Sequence, residues 1–289
     1  MFDFEYYRPE SIDELCEVFN RTKGSLVAGG TDVLPSFRRG QFSSASLIDI
    51  SRLKELRFIR ESGGKIEIGA LTTHADLVTS PLLQQTAPSL VQSAATIGCP
   101  QTRQRGTLGG NLANASPAAD SAPPLLTQAA ELHLAGAGMA RSMSLSDFFM
   151  GPGETCLKAG EYIRSVTFDR PFGRWGAAFE KLGKRNGMAI AIASAAAYLE
   201  IGDDGRLQNA RLALGSVAPT PVLSPHAKAC LEAKSPSPEL FQQAGQAALE
   251  DIYPISDVRA SAEYRQHIVP VLIRRTLEKA FKQAESRLE

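Results

Sequence analysis

The chain has 289 residues, 43% of them hydrophobic and 21% charged, which is typical of a globular protein of one large domain or two to three compact ones. Its 31 lysines and arginines balance 31 aspartates and glutamates, so the charge indicates neither a nucleic-acid-binding protein nor one that binds an acidic membrane surface. No apolar run approaches the ~20 residues of a membrane span, and the four cysteines form no C-x-x-C pair, which argues against a zinc or iron–sulfur site within this chain.

The N-terminal segment MFDFEYYRPE has neither the basic start nor the apolar core of a signal peptide, so we expect a cytoplasmic protein. Alternating aromatic and acidic residues predict a short strand over residues 2–6. Ser11 and Glu14 match the capping box S-x-x-E and predict a helix start. We expect Gly24 to end that helix.

An apolar run over residues 25–28 predicts a buried strand that leads directly into Gly29 and Gly30. A second strand is predicted over residues 47–50. Residues 1–55 are therefore predicted to form a small β-α-β unit in which the two glycines occupy a strand-to-helix turn. N–H groups and the helix dipole at such a turn favour a phosphate.

A second unit is predicted over residues 56–175. Its expected strands and helices are strands 65–68, 131–135 and 162–168, and helices over 73–78, over 88–97 and from Pro123 onward. A third unit is predicted over residues 176–289 as a three-stranded antiparallel sheet plus a helix bundle, giving an α+β fold overall. Its expected elements are strands 177–182, 188–201 and 207–217, helices starting at Ser224 and Ser237, and a last helical segment from Ser256 that Pro270 kinks or divides.

A second pair of adjacent glycines, Gly109 and Gly110, follows Thr107 and precedes a polar loop. Adjacent glycines let the backbone reach positive φ and let a ligand approach without a Cβ in the way. Successive N–H groups in such turns form anion-binding concavities. We call the turn at Gly29 and Gly30 the first glycine corner and the turn at Gly109 and Gly110 the second. The two corners are predicted to hold one pyrophosphate from two sides, although each alone is also compatible with an ordinary tight turn.

The spacing of both glycine pairs excludes the Rossmann and P-loop fingerprints. Asn111 and Asp120 either bind cofactor hydroxyls or cap turns, and Thr31 or Asp32 caps the helix after the first corner. The four dispersed histidines are expected to be exposed or hydrogen-bonded, and no Ser/His/Asp or Cys/His set is present. We therefore predict no catalytic residue and a protein whose chemistry belongs to its cofactor.

Five segments together resemble the FAD-binding (medium) subunits of molybdenum hydroxylases, of the xanthine dehydrogenase and carbon monoxide dehydrogenase type. They are 28–32 (AGGTD), 96–98 (TIG), 106–111 (GTLGGN), 115–120 (ASPAAD) and 259–265 (RASAEYR). The resemblance extends over essentially the whole chain and is strongest to the xanthine dehydrogenase branch. The four-cysteine loop of the 4-hydroxybenzoyl-CoA reductase type is not in this sequence, which argues against that branch.

The resemblance implies a vanillyl-alcohol-oxidase-type FAD-binding fold in two subdomains, followed by the C-terminal α+β domain. The residues it assigns to the pyrophosphate are Leu26, Val27, Ala28, Gly29, Gly30, Thr31, Asp32 and Val33 on one side and Thr107, Gly109, Gly110 and Asn111 on the other. It also places Ile97 near the isoalloxazine, Ile163 behind the ring, and Asp120 near the adenosine or ribityl groups. Lys181 or Glu180 occupies the position of a lysine of the family.

The function that the resemblance implies is electron transfer through non-covalent FAD. Electrons come from [2Fe–2S] clusters in a small partner subunit, which receives them from a molybdopterin-binding large subunit, and pass to NAD⁺ or another acceptor. The implied assembly is a dimer of heterotrimers. The alternative is a stand-alone FAD-dependent reductase of the same fold, similar to UDP-N-acetylenolpyruvoylglucosamine reductase, and a further alternative is a nucleotide-binding scaffold without activity.

Overall fold

A computed structural model describes residues 4–41 and 44–288. Its first unit is a parallel sheet in the strand order β1-β3-β2. Its elements are β1 (Glu5–Tyr7), α1 (Ile12–Thr22), β2 (Ser25–Val27), α2 (Val33–Arg38) and β3 (Ser46–Asp49). The β-α-β prediction is confirmed, whereas the first residues of the strand predicted over 2–6 lie outside the described residues.

The ends of α1 show which capping predictions were correct. Ser11 is the N-cap, and its side chain accepts a hydrogen bond from the Glu14 N–H, but the Glu14 carboxylate accepts from the Glu10 N–H rather than from Ser11. The prediction that Gly24 ends the helix was wrong by one residue. Lys23 takes the left-handed conformation at φ 50°, and its N–H bonds the Phe19 carbonyl, which closes the last turn.

The second unit is an antiparallel five-stranded sheet in the order β4-β5-β10-β6-β7, with a small separate ribbon formed by β8 and β9. Its strands are β4 (Ile59–Ser62), β5 (Lys65–Gly69), β6 (Glu131–Gly136), β7 (Met139–Ser144), β8 (Phe149–Gly151), β9 (Glu154–Thr155) and β10 (Tyr162–Asp169). Its helices are α3 (His74–Thr79), α4 (Pro81–Thr86), α5 (Pro88–Thr96), α6 (Pro100–Arg105), α7 (Leu108–Ala113) and α8 (Ala122–Thr127).

One face of this sheet is buried and the other is open. Ile66, Ile68 and Val166 are fully buried in a cluster with apolar residues of the helices. Glu67 and His133 belong to the opposite, polar face. This alternation follows from the two-residue period of a strand and explains why β5, β6 and β10 were predictable.

The third unit has the predicted antiparallel strands plus a two-residue fourth strand, in the order β11-β12-β13-β14. Its elements are β11 (Arg174–Gly183), β12 (Ala191–Ile201), β13 (Leu207–Gly215), β14 (Val222–Leu223), α9 (Pro225–Leu231), α10 (Pro238–Ala247) and α11 (Ala262–Glu285). The three-stranded prediction therefore missed only β14, which is too short to show a period. The α+β architecture is confirmed.

The last helix begins later than predicted, and Pro270 does not divide it. Ser261, not Ser256, is the N-cap of α11, and the Ser256 hydroxyl instead accepts from the Ala262 N–H at 2.9 Å. Pro270 lies inside an unbroken helix. A proline removes only one helical donor, and the buried face around Val269 and Ile273 is packed into the core of this unit, which keeps the helix continuous.

Candidate functional site

The first glycine corner connects β2 to α2 and can be built only from glycine. A Cβ on Gly29 would lie 1.9 Å from the Arg105 carbonyl oxygen and 3.0 Å from the Gly106 nitrogen. Gly30 has a φ of +73°, in the left-handed region that residues with a side chain avoid. The corner is followed by Asp32, the N-cap of α2, whose side chain makes no capping hydrogen bond, so the expectation of a side-chain cap was wrong.

The second corner is the first turn of helix α7. Thr107 is its N-cap and accepts a hydrogen bond from the Gly110 N–H at 3.1 Å. Gly109 and Gly110 are helical and not at positive φ, so the predicted left-handed turn was wrong here. Glycine is instead needed at position 109 because α7 packs closely against Ala70: a Cβ on Gly109 would lie 2.6 Å from the Ala70 Cβ.

The segment Arg105–Gly106 brings the two corners together, because it touches Gly29 and leads directly into Thr107. Main-chain hydrogen bonds hold this junction to the start of α3: the His74 N–H donates to the Gly106 carbonyl at 3.0 Å, and the Leu108 N–H donates to the Thr72 carbonyl at 2.9 Å. Gly29 and Gly30 are half-buried and Gly110 is exposed. The corners therefore form one cradle of main-chain groups that is open to solvent.

His74 is the residue of this junction that sequence reasoning missed. Its side chain is buried, its Nδ1 atom has no hydrogen-bond partner among the described residues, and its ring lies against Gly106. The expectation of an exposed or hydrogen-bonded histidine was therefore wrong. Burial lowers the pKa of His74 to about 4, and the positive charge of Arg103 acts in the same direction. The His74 ring is therefore neutral at pH 7 and packs behind the Arg105–Gly106 junction. No periodicity or motif in the sequence predicted this role.

Asp120 and Lys181 form a buried ion pair between the second and third units. The Lys181 Nζ donates to Asp120 Oδ2 at 2.5 Å and also approaches the Thr96 carbonyl at 3.4 Å. Both side chains are only 7% exposed. Burial raises the pKa of the Asp120 carboxyl while Lys181 opposes that rise. Glu180 instead forms an ion pair with Lys279 of α11, so Lys181 and not Glu180 contacts Asp120.

Two buried acceptor atoms of the residues predicted to bind the cofactor have no partner among the described residues. They are Oδ1 of Asn111, in α7, and Oδ1 of Asp120. A buried acceptor without a donor costs about 1–3 kcal/mol, so both atoms call for a ligand hydroxyl or N–H group. The residues present therefore fit a cofactor that carries an anionic diphosphate and several donors.

The other predicted residues lie at different depths. Ile97 is half-buried at the C-cap of α5, and its carbonyl accepts from Arg103 Nη1 at 3.0 Å. Ile163 belongs to the buried cluster that also contains Leu108 and Leu112, so it is a core residue beneath α7. Its place behind a flavin ring stays a prediction.

Over the described ranges 4–41 and 44–288, no group of three or more His, Cys, Asp or Glu side chains is arranged to hold a metal ion. Within the same ranges, no helix has both the length and the apolar character to span a membrane.

Comparisons with known proteins agree over the whole chain. Residues 2–170 match the family described as "FAD binding domain in molybdopterin dehydrogenase", and residues 177–280 match "CO dehydrogenase flavoprotein C-terminal domain". The xanthine dehydrogenase FAD-binding subunit of Escherichia coli is 31% identical over 293 residues, which cover 100% of both chains. The carbon monoxide dehydrogenase medium chain of Hydrogenophaga pseudoflava is 33% identical, covering 96% of this chain and 97% of that one.

Solved structures show the same similarity in three dimensions. Carbon monoxide dehydrogenase from Hydrogenophaga pseudoflava, in a form that lacks the Mo-pyranopterin moiety of its molybdenum cofactor, superimposes with a TM-score of 0.93 at 32% identity, over 97% of this chain and 98% of that one. Quinoline 2-oxidoreductase from Pseudomonas putida has a TM-score of 0.91 at 30% identity, over 97% of this chain and 98% of that one.

Proposed function

The chain belongs to the FAD-binding subunits of the molybdenum hydroxylase family, and we propose that it binds one FAD without a covalent bond and transfers electrons within a molybdenum-dependent dehydrogenase complex. The proposed donors are [2Fe–2S] clusters of a small partner subunit, and the proposed acceptor is NAD⁺ or another oxidant. A molybdopterin-binding large subunit completes the proposed heterotrimer, which pairs with a second heterotrimer in the cytoplasm. The substrate oxidised at molybdenum binds that large subunit.

One observation carries the proposal: the main chain of Arg105–Gly106 lies directly against Gly29. This contact places two glycine corners, which are far apart in the sequence, at one cradle. Glycine at the first corner leaves its main-chain N–H groups uncovered by a Cβ, so a diphosphate can approach them. At the second corner the Gly109 N–H donates to the Ala70 carbonyl and the Gly110 N–H to the Thr107 hydroxyl, so the exposed Gly110 offers a close approach to the main chain rather than a free donor. The residues that would hold the diphosphate are those of 26–33 on one side and Thr107, Gly109, Gly110 and Asn111 on the other.

When bound, FAD supplies redox chemistry that the amino acids of the chain lack. The chain contributes binding and orientation. Asp120 would accept a hydrogen bond from a cofactor hydroxyl through its unpaired Oδ1, while Lys181 holds the other oxygen. Because Lys181 extends from β11 and Asp120 follows α7, this pair also fixes the C-terminal unit against the FAD-binding unit.

The test is purification of the affinity-tagged full chain from the cells that produce it. We expect a yellow preparation that releases FAD on denaturation at a ratio near one per chain, with two companion chains that contain molybdenum and iron. A colourless, FAD-free preparation in the presence of added FAD would contradict the proposal. Purification with FAD but without companion chains would instead identify a stand-alone reductase, and rapid anaerobic bleaching by NADH would exclude a scaffold without activity.

A further inference from the structure

A second cleft lies where β10 passes into β11, away from the glycine corners. It has a volume of about 740 Å³ and is bounded by the end of α8, the connection 169–173, and the ends of β12 and β13. This volume is in the range of small-molecule sites, which is about 300–1,000 Å³. None of the residues assigned to FAD lines it.

Three residues that line this cleft each have a buried hydrogen-bond donor without an acceptor among the described residues. The donors are Nε2 of Gln128, Nε of Arg174 and Nε of Arg211, and they come from three different elements. The Gln128 residue is only 5% exposed. Buried polar atoms nearly always have a partner, and a missing one costs about 1–3 kcal/mol. Three orphaned donors in one cleft, with no orphaned acceptor beside them, are complementary to an acceptor-rich ligand.

Two of the four arginines that line the cleft, Arg211 and Arg287, lie against aromatic rings, whereas Arg170 pairs with the Glu61 carboxylate. The Arg211 guanidinium lies 4.7 Å from the Tyr198 ring centroid, and the Arg287 guanidinium lies 3.5 Å from that of Trp175. The Trp175 and Tyr198 rings are themselves stacked at 5.8 Å. Stacking orients a guanidinium without using its N–H donors. Arg287 uses one of them on the Gln85 carbonyl at 3.1 Å, whereas Nε of Arg211 has no acceptor among the described residues.

The carboxylates of the same cleft do not neutralise these arginines. Among the described residues, Asp169 pairs with Lys65 at 3.6 Å, and Glu200 accepts a hydrogen bond from the Tyr198 hydroxyl at 2.6 Å. No described carboxylate forms an ion pair with Arg174 or Arg211. The fork of an arginine matches the oxygens of a phosphate or a carboxylate.

We propose that this cleft is a binding site for a small oxyanion, a phosphate or carboxylate compound, held by Arg174, Arg211 and the Gln128 amide. The site is distinct from the FAD cradle, so it adds a second ligand to the chain. Because residues of the second unit (Gln128 and Asp169) and of the third unit (Arg174 and Arg211) line the cleft, a bound anion would also join the two units.

Trp175 provides a local signal for the test, because it is the only tryptophan of the chain and Arg287 covers its ring. The FAD-loaded full chain is titrated with sodium phosphate and, separately, with sodium succinate, while sodium chloride keeps the ionic strength constant. We expect a saturable change in Trp175 fluorescence with at least one of the two anions. A response to phosphate alone or to succinate alone identifies the source of the oxyanion, and a response to neither overturns the proposal.

Two variants locate the binding. Arg174→Gln is expected to weaken the apparent affinity by about tenfold or more, since a charge-assisted hydrogen bond is lost. Arg275→Gln, the same change at an exposed position of α11, is the matched control and should leave the titration unchanged. Equal affinities in Arg174→Gln and the control would overturn the proposal.

Gln128→Leu separates a binding effect from a folding effect. Replacing an unpaired buried amide by an apolar group is neutral or stabilising, so this variant should keep or raise its Tm in buffer without the anion and still bind the anion more weakly. Its FAD content should stay that of the wild type, which distinguishes this site from the FAD cradle. Unchanged anion affinity in Gln128→Leu would contradict the role of the amide.

Discussion

Both corners contain the dipeptide Gly-Gly, but glycine is required in each for a different physical reason. In the first corner, Gly29 allows two main chains to touch, and Gly30 takes a φ that only glycine adopts readily. In the second corner, both glycines are helical; Gly109 is pressed against Ala70, while Gly110 is exposed and has only the Thr107 hydroxyl oxygen near its missing Cβ. The first corner is thus required by the fold, and the exposed glycine of the second is left for the ligand.

This difference teaches that a Gly-Gly motif does not identify one backbone conformation. Of these four glycines, only Gly30 has a positive φ. The comparison also separates two kinds of consequence: substitutions at buried glycines should cost stability, and a substitution at the exposed one should cost ligand affinity.

The largest effect is expected for Gly29→Ala. The new Cβ would lie 1.9 Å from the Arg105 carbonyl oxygen, so one of the two main chains must move. Overpacking typically costs about 1–3 kcal/mol, and a clash of main chain with Cβ belongs at or above the upper end. We expect a loss of at least about 3 kcal/mol in urea unfolding, together with loss of FAD.

The matched control for this substitution is Gly187→Ala, because a Cβ there meets nothing within 4 Å and the φ is not in the left-handed region. It should retain the stability and the FAD content of the wild type. Equal stability of Gly29→Ala and Gly187→Ala would show that the corners do not touch in solution.

The next largest effect is expected in the pH dependence of the free energy of unfolding, and its source is His74, which packs against Gly106. The pKa of His74 is lowered from 6.5 to about 4 in the folded chain, so between these values the unfolded state binds the proton and the folded state does not. Stability should therefore fall as the pH falls through this window, by about 3 kcal/mol in total. Measurement of urea unfolding from pH 7 to pH 4 tests this slope.

His74→Phe removes the titrating group, so the free energy of unfolding should depend less on pH between pH 7 and pH 4. The control is His226→Gln, because Asp251 raises the pKa of the exposed His226 and the linkage has the opposite sign. Stability from His226 is present at low pH and is lost as the pH rises through its folded pKa. An acid slope that persists unchanged in His74→Phe would exclude His74 as its source.

Features of the fold that depend on neighbouring residues could be predicted from the sequence, whereas contacts between distant segments could not. Local signals identified the helix starts at Ser11, Thr73, Ser224 and Ser237, because a cap acts through residues within one turn. Strand β7 reads MARSMS and has no apolar alternation, so it was missed. The family resemblance assigned Asp120 and Lys181 separately to the cofactor, and their ion pair was not predicted.

The contacts that no local signal revealed are those between distant segments. Gly29 against Arg105 and the burial of His74 depend on how α3, α6 and the first unit pack, which a window of sequence does not contain. A glycine pair indicates that something approaches closely, but not whether it is main chain, a side chain or a ligand.

The smallest effect on stability, and the one that tests the ligand most directly, is expected for Gly110→Ala. Alanine is favoured over glycine in a helix by up to about 1 kcal/mol, and this gain is opposed by a Cβ contact of 2.9 Å with Thr107 Oγ1. The stability of the FAD-free protein should therefore change by no more than about 0.5 kcal/mol. Affinity for FAD should nevertheless fall by about tenfold, because the methyl group would cover the exposed main chain on which the diphosphate is proposed to lie.

Gly109→Ala is the complementary variant, because its Cβ would meet Ala70 inside the protein rather than a ligand. It should lower the stability of the FAD-free protein by about 2 kcal/mol, as overpacking does. Fluorescence titration with FAD and urea unfolding of both variants separate the two roles. If Gly110→Ala bound FAD as tightly as the wild type, the exposed face of α7 would not contact the diphosphate, and the cradle would have to hold it through the first corner alone.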